Sequence, residues 1–266
     1  MIKVSVMGAA GRMGQRIIHF LSQDENLEIV GAGEIGRHPS LGTDAGILAG
    51  IGEISVPVSD DIEVTSSDAD VIVDFTSPEA TLKNAAYASE HGKCMVIGTT
   101  GFTAEESKKL DKLSGGFPCV IAPNMSIGVN VMFEMTRLLA CALGEDYDVE
   151  IIEAHHKHKL DSPSGTALGL GKAAAEGLGR DLGKVARFER HGKIGERKQD
   201  EIGIQTVRGG DIIGEHTVMF IGEGERLEIT HRAQSRDNFA KGAVRAVNWI
   251  YGKPPGAYTM KDVLSL

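Results

Sequence analysis

The chain has 266 residues, of which 41% are hydrophobic and 24% are charged, a composition ordinary for a globular protein of one or two domains. Its net charge of −9 argues against a general nucleic-acid partner and against adsorption to an anionic membrane. Local basic residues decide which small ligands bind, so the same net charge leaves an anionic substrate open.

The first residues already follow a strand pattern, so we expect no secretion signal ahead of the fold. No later stretch is expected to be long enough and apolar enough to cross a bilayer. Cys94, Cys119 and Cys141 are odd in number and lack CxxC spacing, which is typical of reduced, mostly buried cysteines. We therefore expect a cytoplasmic protein with no membrane partner and no catalytic thiol.

The first half of the chain alternates short apolar strands with helical patterns. Strands are predicted over residues 2–7, 27–32, 71–75, 94–97 and 119–122, with helices around 17–21, 80–91 and 104–113. This alternation predicts an α/β, Rossmann-like domain whose parallel sheet carries helices on both faces.

The pattern changes after about residue 126. Helices are predicted over 130–143, 167–178 and 238–251, and strands over 149–154, 201–208, 215–221 and 226–232. The last three strands alternate apolar and polar residues and are joined by glycine-rich turns, which favours an open mixed or antiparallel sheet. We expect residues 1–126 and 236–266 to form the dinucleotide-binding domain, and 127–235 to form an α+β domain for substrate binding and oligomerisation.

A glycine-rich turn between the first strand and the first helix carries the pattern GxxGxxG at Gly8, Gly11 and Gly14, with Ala10 at the middle position. Glycines let backbone amides approach a pyrophosphate, which then lies on the helix N-terminus. The pattern alone is weak, but its strand–turn–helix context is right. The turn residues predicted to bind the cofactor are Gly8, Ala9, Ala10, Gly11, Arg12 and Met13. Arg12 either contacts the adenosine phosphate or is solvated.

The choice between NADH and NADPH depends on the loop after the second strand. Glu34 lies twenty residues past Gly14, where an acid bonds the adenosine ribose hydroxyls and favours NAD. Arg37 lies close enough in the chain to attract a 2′-phosphate. The cofactor is therefore predicted to be NADH or NADPH, with a preference that is weak or favours NADH.

A dense run of histidines and lysines follows the strand predicted at 149–154. Three histidines and two lysines occupy positions 155–159, and both residue types can carry or transfer protons near neutral pH. Asp161 or Ser162 is predicted to cap the next helix, with Pro163 in its first turn and Gly165-Thr166 presenting backbone amides. The segment predicts proton donors beside a site for an anion.

A zinc site is the competing interpretation of the histidines. His155 and His156 are adjacent, so in an extended segment their side chains point to opposite sides. No HExxH or equivalent carboxylate spacing accompanies them. We therefore expect no metal.

The string Glu153-Ala154-His155-His156, followed by Lys159, Asp161 and Pro163-Ser164-Gly165-Thr166, resembles the signature of the 4-hydroxy-tetrahydrodipicolinate (dihydrodipicolinate) reductase family. The residues of the glycine turn also resemble those of that family, and the resemblance extends over nearly the whole chain. It implies NAD(P)H-dependent reduction of a small dicarboxylate, 4-hydroxy-tetrahydrodipicolinate, in lysine and diaminopimelate biosynthesis. It also implies a homotetramer.

The resemblance implies a role for individual residues. His155 and Lys159 become the proton-handling pair, with Lys159 the more plausible donor, while His156 contacts one substrate carboxylate and Gly165 and Thr166 contact the other. The nicotinamide and its ribose are expected to lie against two loops: Gly98, Thr99, Thr100, and Ala122, Pro123, Asn124, Met125. Many family members carry arginine directly after the acid, where this chain has Ile35, and that departure argues against a strong preference for NADPH.

Two other functions fit the same sequence features. One is a different NAD(P)-dependent reductase or an aspartate-type dehydrogenase of related architecture. The other is a regulatory protein that binds the dinucleotide without turning it over. An assay of NADH oxidation separates these two functions from the reductase that the resemblance implies. Only that reductase oxidises NADH solely when the dipicolinate precursor is supplied.

Overall fold

The computed structural model describes all 266 residues. The strands, in chain order, are Ile2–Met7 (β1), Leu27–Gly33 (β2), Val58–Ser59 (β3), Val71–Asp74 (β4), Cys94–Ile97 (β5), Pro118–Ile121 (β6), Asp148–His155 (β7), Ala186–Arg187 (β8), Ile202–Arg208 (β9), Gly214–Ile221 (β10), Arg226–Ala233 (β11) and Gly256–Tyr258 (β12).

The α-helices, in chain order, are Arg12–Leu21 (α1), Ala45–Ala49 (α2), Ile62–Ser66 (α3), Pro78–His91 (α4), Ala104–Ser114 (α5), Ile127–Leu143 (α6), Gly165–Gly177 (α7), Leu182–Val185 (α8), Asp237–Ile250 (α9) and Met260–Leu264 (α10). The chain divides into two compact units. The first consists of Met1–Ile127 with Asp237–Ser265, and the second is centred on Gly128–Arg236.

The first unit is built on a seven-stranded sheet in the order β12-β6-β5-β4-β1-β2-β3, and every strand pair in it is parallel. Successive side chains of a strand point to opposite faces, so Val96 joins the core that contains α1 and α9, whereas Met95 and Ile97 join the core that contains α4 and α5. A parallel sheet covered on both faces explains the near-continuous apolar strands. The predicted Rossmann-like fold is confirmed.

The second unit contains a five-stranded mixed sheet in the order β11-β10-β7-β9-β8. One face of β7, with Val149 and Ile151, packs with Leu170 and Ala174 of α7 in a single apolar cluster. The other face leaves Ile152 and Val207 exposed, at 38% and 47%. The open mixed sheet predicted from the alternating runs is therefore present.

Helix α6 and the residues that follow it test the expectation that no stretch could cross a bilayer. The stretch Ile127–Asp146 has 20 residues and a mean hydropathy of 1.3, so it is long and apolar enough by composition to cross a bilayer. The expectation that no stretch meets that test was wrong. A single helix of this kind does not identify a membrane span, because core helices share its composition.

All three cysteines are free thiols, with Cys94 and Cys119 buried and Cys141 exposed.

The tightest helix packing of the first unit gives a stability prediction. A Cβ on Gly242 of α9 would lie 1.8 Å from the backbone oxygen of Met125, so a side chain there forces the backbone to move. We expect Gly242→Ala to lower the free energy of unfolding by about 1–3 kcal/mol, despite the better helix propensity of alanine. Urea unfolding followed by the fluorescence of Trp249, which lies on α9, measures it.

Gly115→Ala is the matched control. Gly115 ends α5 with φ −70°, which any residue adopts, and a Cβ there meets its nearest atom at 3.8 Å. This variant should stay within about 0.5 kcal/mol of the parent protein. Equal unfolding midpoints for Gly242→Ala and Gly115→Ala would contradict the packing argument.

Candidate functional site

The residues predicted to bind the cofactor follow the carboxyl ends of neighbouring parallel strands in the first unit. The glycine turn follows β1, Glu34 follows β2, Gly98 follows β5 and Ala122 follows β6. The carboxyl ends of parallel strands meet at one edge of the sheet, where open α/β sheets bind ligands. The fold therefore brings these predicted residues to one edge.

The glycine turn has the geometry that a pyrophosphate site needs. Gly8 has φ +74°, and a Cβ on Gly14 would lie 2.1 Å from the Gly8 oxygen, so the turn closes tightly onto helix α1. Gly11 precedes α1 without a side-chain cap, and no acidic residue lies in the first turn. The first amides of α1 are left for a ligand, and the first turn of the helix carries no acidic side chain that would repel an anion.

Glu34 connects the glycine turn to the loop after β2. One carboxylate oxygen accepts from the Ala10 amide at 3.0 Å and the other accepts from the Ile35 amide at 3.1 Å. An ionised carboxylate has further acceptor sites, so these two bonds still leave Glu34 able to accept from ribose hydroxyls. The predicted ribose contact is compatible with this geometry.

A cavity of about 440 Å³ lies beside Glu34, and its lining includes Gly8, Ile35 and Gly36. Three charged residues that the sequence patterns did not predict also line it: Asp60, Asp61 and Lys83. Arg37 is exposed and is not part of the lining. Asp60 and Asp61 lie between β3 and α3, which are too short to show a periodic sequence pattern. Only the fold therefore identifies these two residues. The turn, the cavity and Glu34 together fit a dinucleotide.

The loops after β5 and β6 offer backbone groups more than side chains. The Thr99 hydroxyl accepts from the Thr76 amide at 3.0 Å and from the Thr81 hydroxyl at 2.8 Å. These groups surround Asp74, whose pKa is raised because burial outweighs the hydrogen bonds from Thr76 and its neighbours. Met125 is buried in the core. Thr99 and Met125 can therefore reach a ligand through their main chain.

The histidine run of the second unit lies between β7 and α7. β7 ends at His155, and a turn closes with the Lys159 amide donating to the His156 oxygen at 3.1 Å. Lys159 Nζ forms an ion pair with Asp161 at 3.0 Å. The predicted cap was wrong: Ser164 caps α7 by accepting from the Ala167 amide, because the helix begins at Gly165, beyond Pro163.

The start of α7 has the features expected for binding a carboxylate. The first turn contains no acidic residue, and a Cβ on Gly165 would meet no atom within 4 Å. Nδ1 of His156 is buried without a hydrogen-bond partner in the chain. A buried polar atom of this kind needs a ligand or a water to satisfy it. His156, Gly165 and Thr166 thus lie in one short segment, with open space beside Gly165.

His155 is held by a buried carboxylate that the sequence analysis quoted but did not assign. Nδ1 of His155 lies 2.6 Å from Glu153 Oε2, and Arg208 donates to both Glu153 oxygens at 2.8 and 2.9 Å. Burial alone raises the pKa of Glu153, but hydrogen bonds from Arg208, His155 and the Ser164 amide outweigh it and lower the pKa to about 2. Glu153 is therefore ionised at neutral pH.

Two histidines of this cluster are neutral at neutral pH. Burial lowers the pKa of His155 and outweighs the opposing effect of Glu153. Burial, followed by the neighbouring His155, lowers the pKa of His216 to about 4. His216 Nε2 lies 3.1 Å from the Ser164 hydroxyl, and its ring meets that of His155 edge-on with centroids 5.2 Å apart. Arg208 and His216 were missed because they come from distant strands, β9 and β10.

The zinc interpretation finds no geometric support. No group of three or more His, Cys, Asp or Glu side chains is arranged to hold a metal ion. The positive charge of Lys159 acts on His155 and disfavours a second cation beside its ring.

Comparisons with known proteins identify relatives over the whole chain. Residues 2–125 match the family model "Dihydrodipicolinate reductase, N-terminus", and residues 128–264 match "Dihydrodipicolinate reductase, C-terminus". A 4-hydroxy-tetrahydrodipicolinate reductase of Geotalea daltonii is 56% identical over 266 residues, 100% of both chains. One from Trichlorobacter lovleyi is 55% identical over the same span. The structure is similar to a dipicolinate-bound dihydrodipicolinate reductase from Paenisporosarcina sp. TG-14, with TM-score 0.75, 28% identity and 97% of each chain covered.

The acidic lining of the cavity beside Glu34 gives a prediction on cofactor choice. Asp60 lies against Gly36, with Oδ2 3.2 Å from the position of a Cβ there, so its charge opposes a 2′-phosphate bound in the cavity. Asp60→Asn should raise NADPH affinity relative to NADH by roughly two- to fivefold, because exposed charge interactions are worth about 1 kcal/mol or less. Calorimetric dissociation constants for both cofactors measure the ratio.

Two further variants complete that experiment. Arg37→Ala should shift the ratio the other way, because it removes a cation three residues after Glu34. Asp111→Asn, an exposed change on α5 outside the cavity lining, should leave the ratio unchanged. If Asp60→Asn and Asp111→Asn behave alike, Asp60 does not act on the cofactor.

Proposed function

Because the chain belongs to the dihydrodipicolinate reductase family, we propose that it reduces 4-hydroxy-tetrahydrodipicolinate to tetrahydrodipicolinate with NADH or NADPH. This reaction belongs to lysine and diaminopimelate biosynthesis. The observation that carries the proposal is the grouping of His155, His156, Lys159 and the open start of α7 in one segment of the second unit. Proton donors and a carboxylate site are what a cyclic dicarboxylate with a ring nitrogen requires.

The reaction consumes substrate, reduced cofactor and one proton, and it releases tetrahydrodipicolinate, oxidised cofactor and water. When bound, the reduced nicotinamide supplies the hydride. The protein must hold the ring, neutralise its carboxylates and deliver the proton. Each of these tasks falls to residues of the second unit.

Lys159 and His155 are the residues that we assign to the proton. The Lys159 ammonium pairs with Asp161 at 3.0 Å and stabilises negative charge that develops on the ring. His155 is neutral at neutral pH because burial lowers its pKa, so it cannot be the resting donor of a positive charge. This contrast supports Lys159 as the donor and His155 as the group that relays the proton or holds the substrate.

The two carboxylates have separate partners in this proposal. His156 binds one, and Gly165 and Thr166 bind the other at the start of α7, where the first turn contains no acidic residue. The dipicolinate held by the Paenisporosarcina relative is itself a small dicarboxylate, which supports a ligand of this class.

We assign cofactor binding to the first unit and substrate binding to the second. The proposed cofactor contacts are Gly8, Ala9, Ala10, Gly11, Arg12, Met13, Glu34, Arg37, Gly98, Thr99, Thr100, Ala122, Pro123, Asn124 and Met125. The close-packed glycine turn and the Glu34 carboxylate support this assignment most directly. A cytoplasmic location stays a prediction.

A coupled assay separates this function from the two alternatives. The preceding synthase, supplied with aspartate semialdehyde and pyruvate, generates the substrate in place, and NADH oxidation is followed by absorbance. Oxidation that begins only when the synthase is present supports the proposal. Oxidation of NADH with other imino or oxo acids alone indicates a different dehydrogenase, and tight NADH binding without turnover indicates a regulatory protein.

Lys159→Ala is the variant that tests the proton donor. We expect kcat to fall by roughly two to four orders of magnitude, the span usual for removing a general acid. NADH affinity should stay near that of the parent, because the glycine turn and Glu34 belong to the first unit. His155→Ala should also slow turnover, and the double variant should be little worse than the worse single variant, since coupled losses are not additive.

His158→Ala is the matched control, because His158 lies in the same run but is exposed. It should retain the parent kcat. A Lys159→Ala variant that keeps most of its kcat while His158→Ala loses it would assign the proton to a different residue of the run.

We propose further that the protein is a homotetramer that associates through the open face of the second sheet. Helix α7 covers one face, while the other exposes Ile152 and Val207 and joins Thr217 to Thr230 by a 3.0 Å hydrogen bond. Exposed apolar side chains on an uncovered sheet face are typical of a subunit interface. A second copy of the same chain buries them symmetrically.

Sedimentation velocity tests this interface with two matched variants. Val207→Glu places a charge on the open face and should dissociate the tetramer at micromolar concentration. Val64→Glu makes the same change on α3 of the first unit, where Val64 is 65% exposed, and should leave the tetramer intact. A monomeric parent protein, or a Val207→Glu tetramer, would contradict the proposal.

A further inference from the structure

Glu153 is a fully buried carboxylate that is surrounded by hydrogen-bond donors. Its Oε1 accepts from the Ser164 amide at 2.9 Å, from Arg208 Nη2 at 2.9 Å and from Thr206 at 3.3 Å. Its Oε2 accepts from Arg208 Nη1 at 2.8 Å and lies 2.6 Å from His155 Nδ1. The side chain has no exposed surface. Every lone pair of this carboxylate therefore faces a donor within the chain.

The register of the sheet explains why these groups meet. Glu153 pairs with Thr206 on β9 and with His216 on β10, which form one row across three strands. One row further along, His155 pairs with Arg208. Cross-strand neighbours on one face lie close together, so Arg208 reaches Glu153 from the adjacent row. The arrangement depends on three strands and on the loop before α7, not on the local sequence.

The position of Arg208 determines which nitrogen of His155 carries the proton. Arg208 donates to both oxygens of Glu153, so the carboxylate acts as an acceptor and the short contact requires a hydrogen on His155 Nδ1. In a neutral imidazole the other nitrogen is then a bare acceptor. Nε2 of His155 has no hydrogen-bond partner in the chain and is not among the buried unpartnered atoms, so it keeps access to solvent.

Gly214 leaves the space beside Nε2 of His155 open. A Cβ on Gly214 of β10 would lie 3.1 Å from Nε2 of His155, so any side chain there presses on the ring. Glu153 holds one edge of the imidazole, and Gly214 leaves the other edge open. This asymmetry is what a ring that receives a proton from one side needs.

We propose that Glu153, clamped by Arg208, is a positioning residue that holds His155 as the Nδ1–H tautomer, so that Nε2 faces the substrate as a proton acceptor. The inference rests on the proposed function and deepens it, because it assigns His155 and Lys159 opposite roles. The Lys159 ammonium gives its proton to the reduced ring and regains one from solvent. Nε2 of His155 accepts the proton that the ring loses as the 4-hydroxyl group departs, and returns it to that hydroxyl, which leaves as water. Among the histidines of the second unit, His155 alone is hydrogen-bonded to a carboxylate that also binds an arginine through both of its oxygens.

The charges that face His155 set its pH dependence. Glu153 lies on its own strand, Arg208 on β9, His216 on β10 and Lys159 in the loop that follows. Burial lowers the pKa of His155 most strongly, Glu153 raises it, and Lys159 and Arg208 lower it. Removing the negative charge of Glu153 therefore moves the pKa of His155 further down, and activity that needs neutral His155 extends to lower pH.

The kinetic test compares Glu153→Gln with Glu153→Asp. Glu153→Gln should lower kcat by about ten- to a hundredfold and shift the acid limb of the pH profile of kcat/KM to lower pH. Glu153→Asp keeps the charge but shortens the reach, so kcat should fall while the acid limb stays near its parent position. If Glu153 has a purely structural role, neither variant shifts the acid limb of the pH profile.

Glu150→Gln is the matched control. Glu150 lies on the same strand, is paired with Arg190 at 2.8 Å, and points to the opposite face from Glu153. It should lose no more than twofold in kcat and leave the pH profile unchanged. Equal effects of Glu150→Gln and Glu153→Gln would overturn the proposal, since any lost ion pair in β7 would then suffice.

Nitrogen NMR of the parent protein tests the tautomer directly, and a variant is used only to assign the His155 signals. The protein is labelled with ¹⁵N in histidine rings, and His155 is assigned from the signals missing in His155→Gln. We expect Nδ1 protonated and Nε2 bare at neutral pH. A proton on Nε2 with Nδ1 bare, or a doubly protonated ring, would overturn the proposal. A tautomer as expected in a protein that fails the coupled assay would contradict only the proposed function.

Discussion

Glu153 is a negative charge placed where the second sheet excludes water. A buried carboxylate costs several kcal/mol unless it is paired and fully hydrogen-bonded, and Glu153 meets both conditions through Arg208, His155 and the Ser164 amide. The same bonds orient His155 and fix the residue at which α7 begins. The proposed proton-handling group and the proposed carboxylate site therefore both depend on one carboxylate.

The two units share, in different settings, a helix start of the kind that suits an anion. In the first, α1 begins at a glycine turn with no side-chain cap, which leaves its first amides open. In the second, α7 begins after Ser164, whose hydroxyl caps the Ala167 amide, and a Cβ on Gly165 would meet no atom within 4 Å. Neither first turn contains an acidic residue. The positive end of each helix is thus kept for a ligand.

Local patterns predicted most of the architecture and many of the residues at the sites. Strands β1 and β5 have the predicted bounds, because each is a short run with several Val and Ile residues that ends directly before a glycine. The short elements β3 and α3 were not predicted, because two to five residues show no period, and Asp60 was missed with them. The capping residue of α7 was misplaced because Asp161, Ser162 and Ser164 are chemically equivalent as caps, and only packing chooses among them.

The sequence by itself determined the chemistry that the chain carries: a glycine turn with Glu34 after it, and histidines beside Lys159. Those features are local in the chain, so spacing and residue type suffice to find them. Only the tertiary structure decided how that chemistry is controlled. Arg208 lies 55 residues from Glu153 and His216 lies 52 residues from Ser164, and they meet because strand register brings β9 and β10 beside β7. Burial, which lowers the pKa of His155 and His216, is likewise a property of the packed sheet and not of any segment.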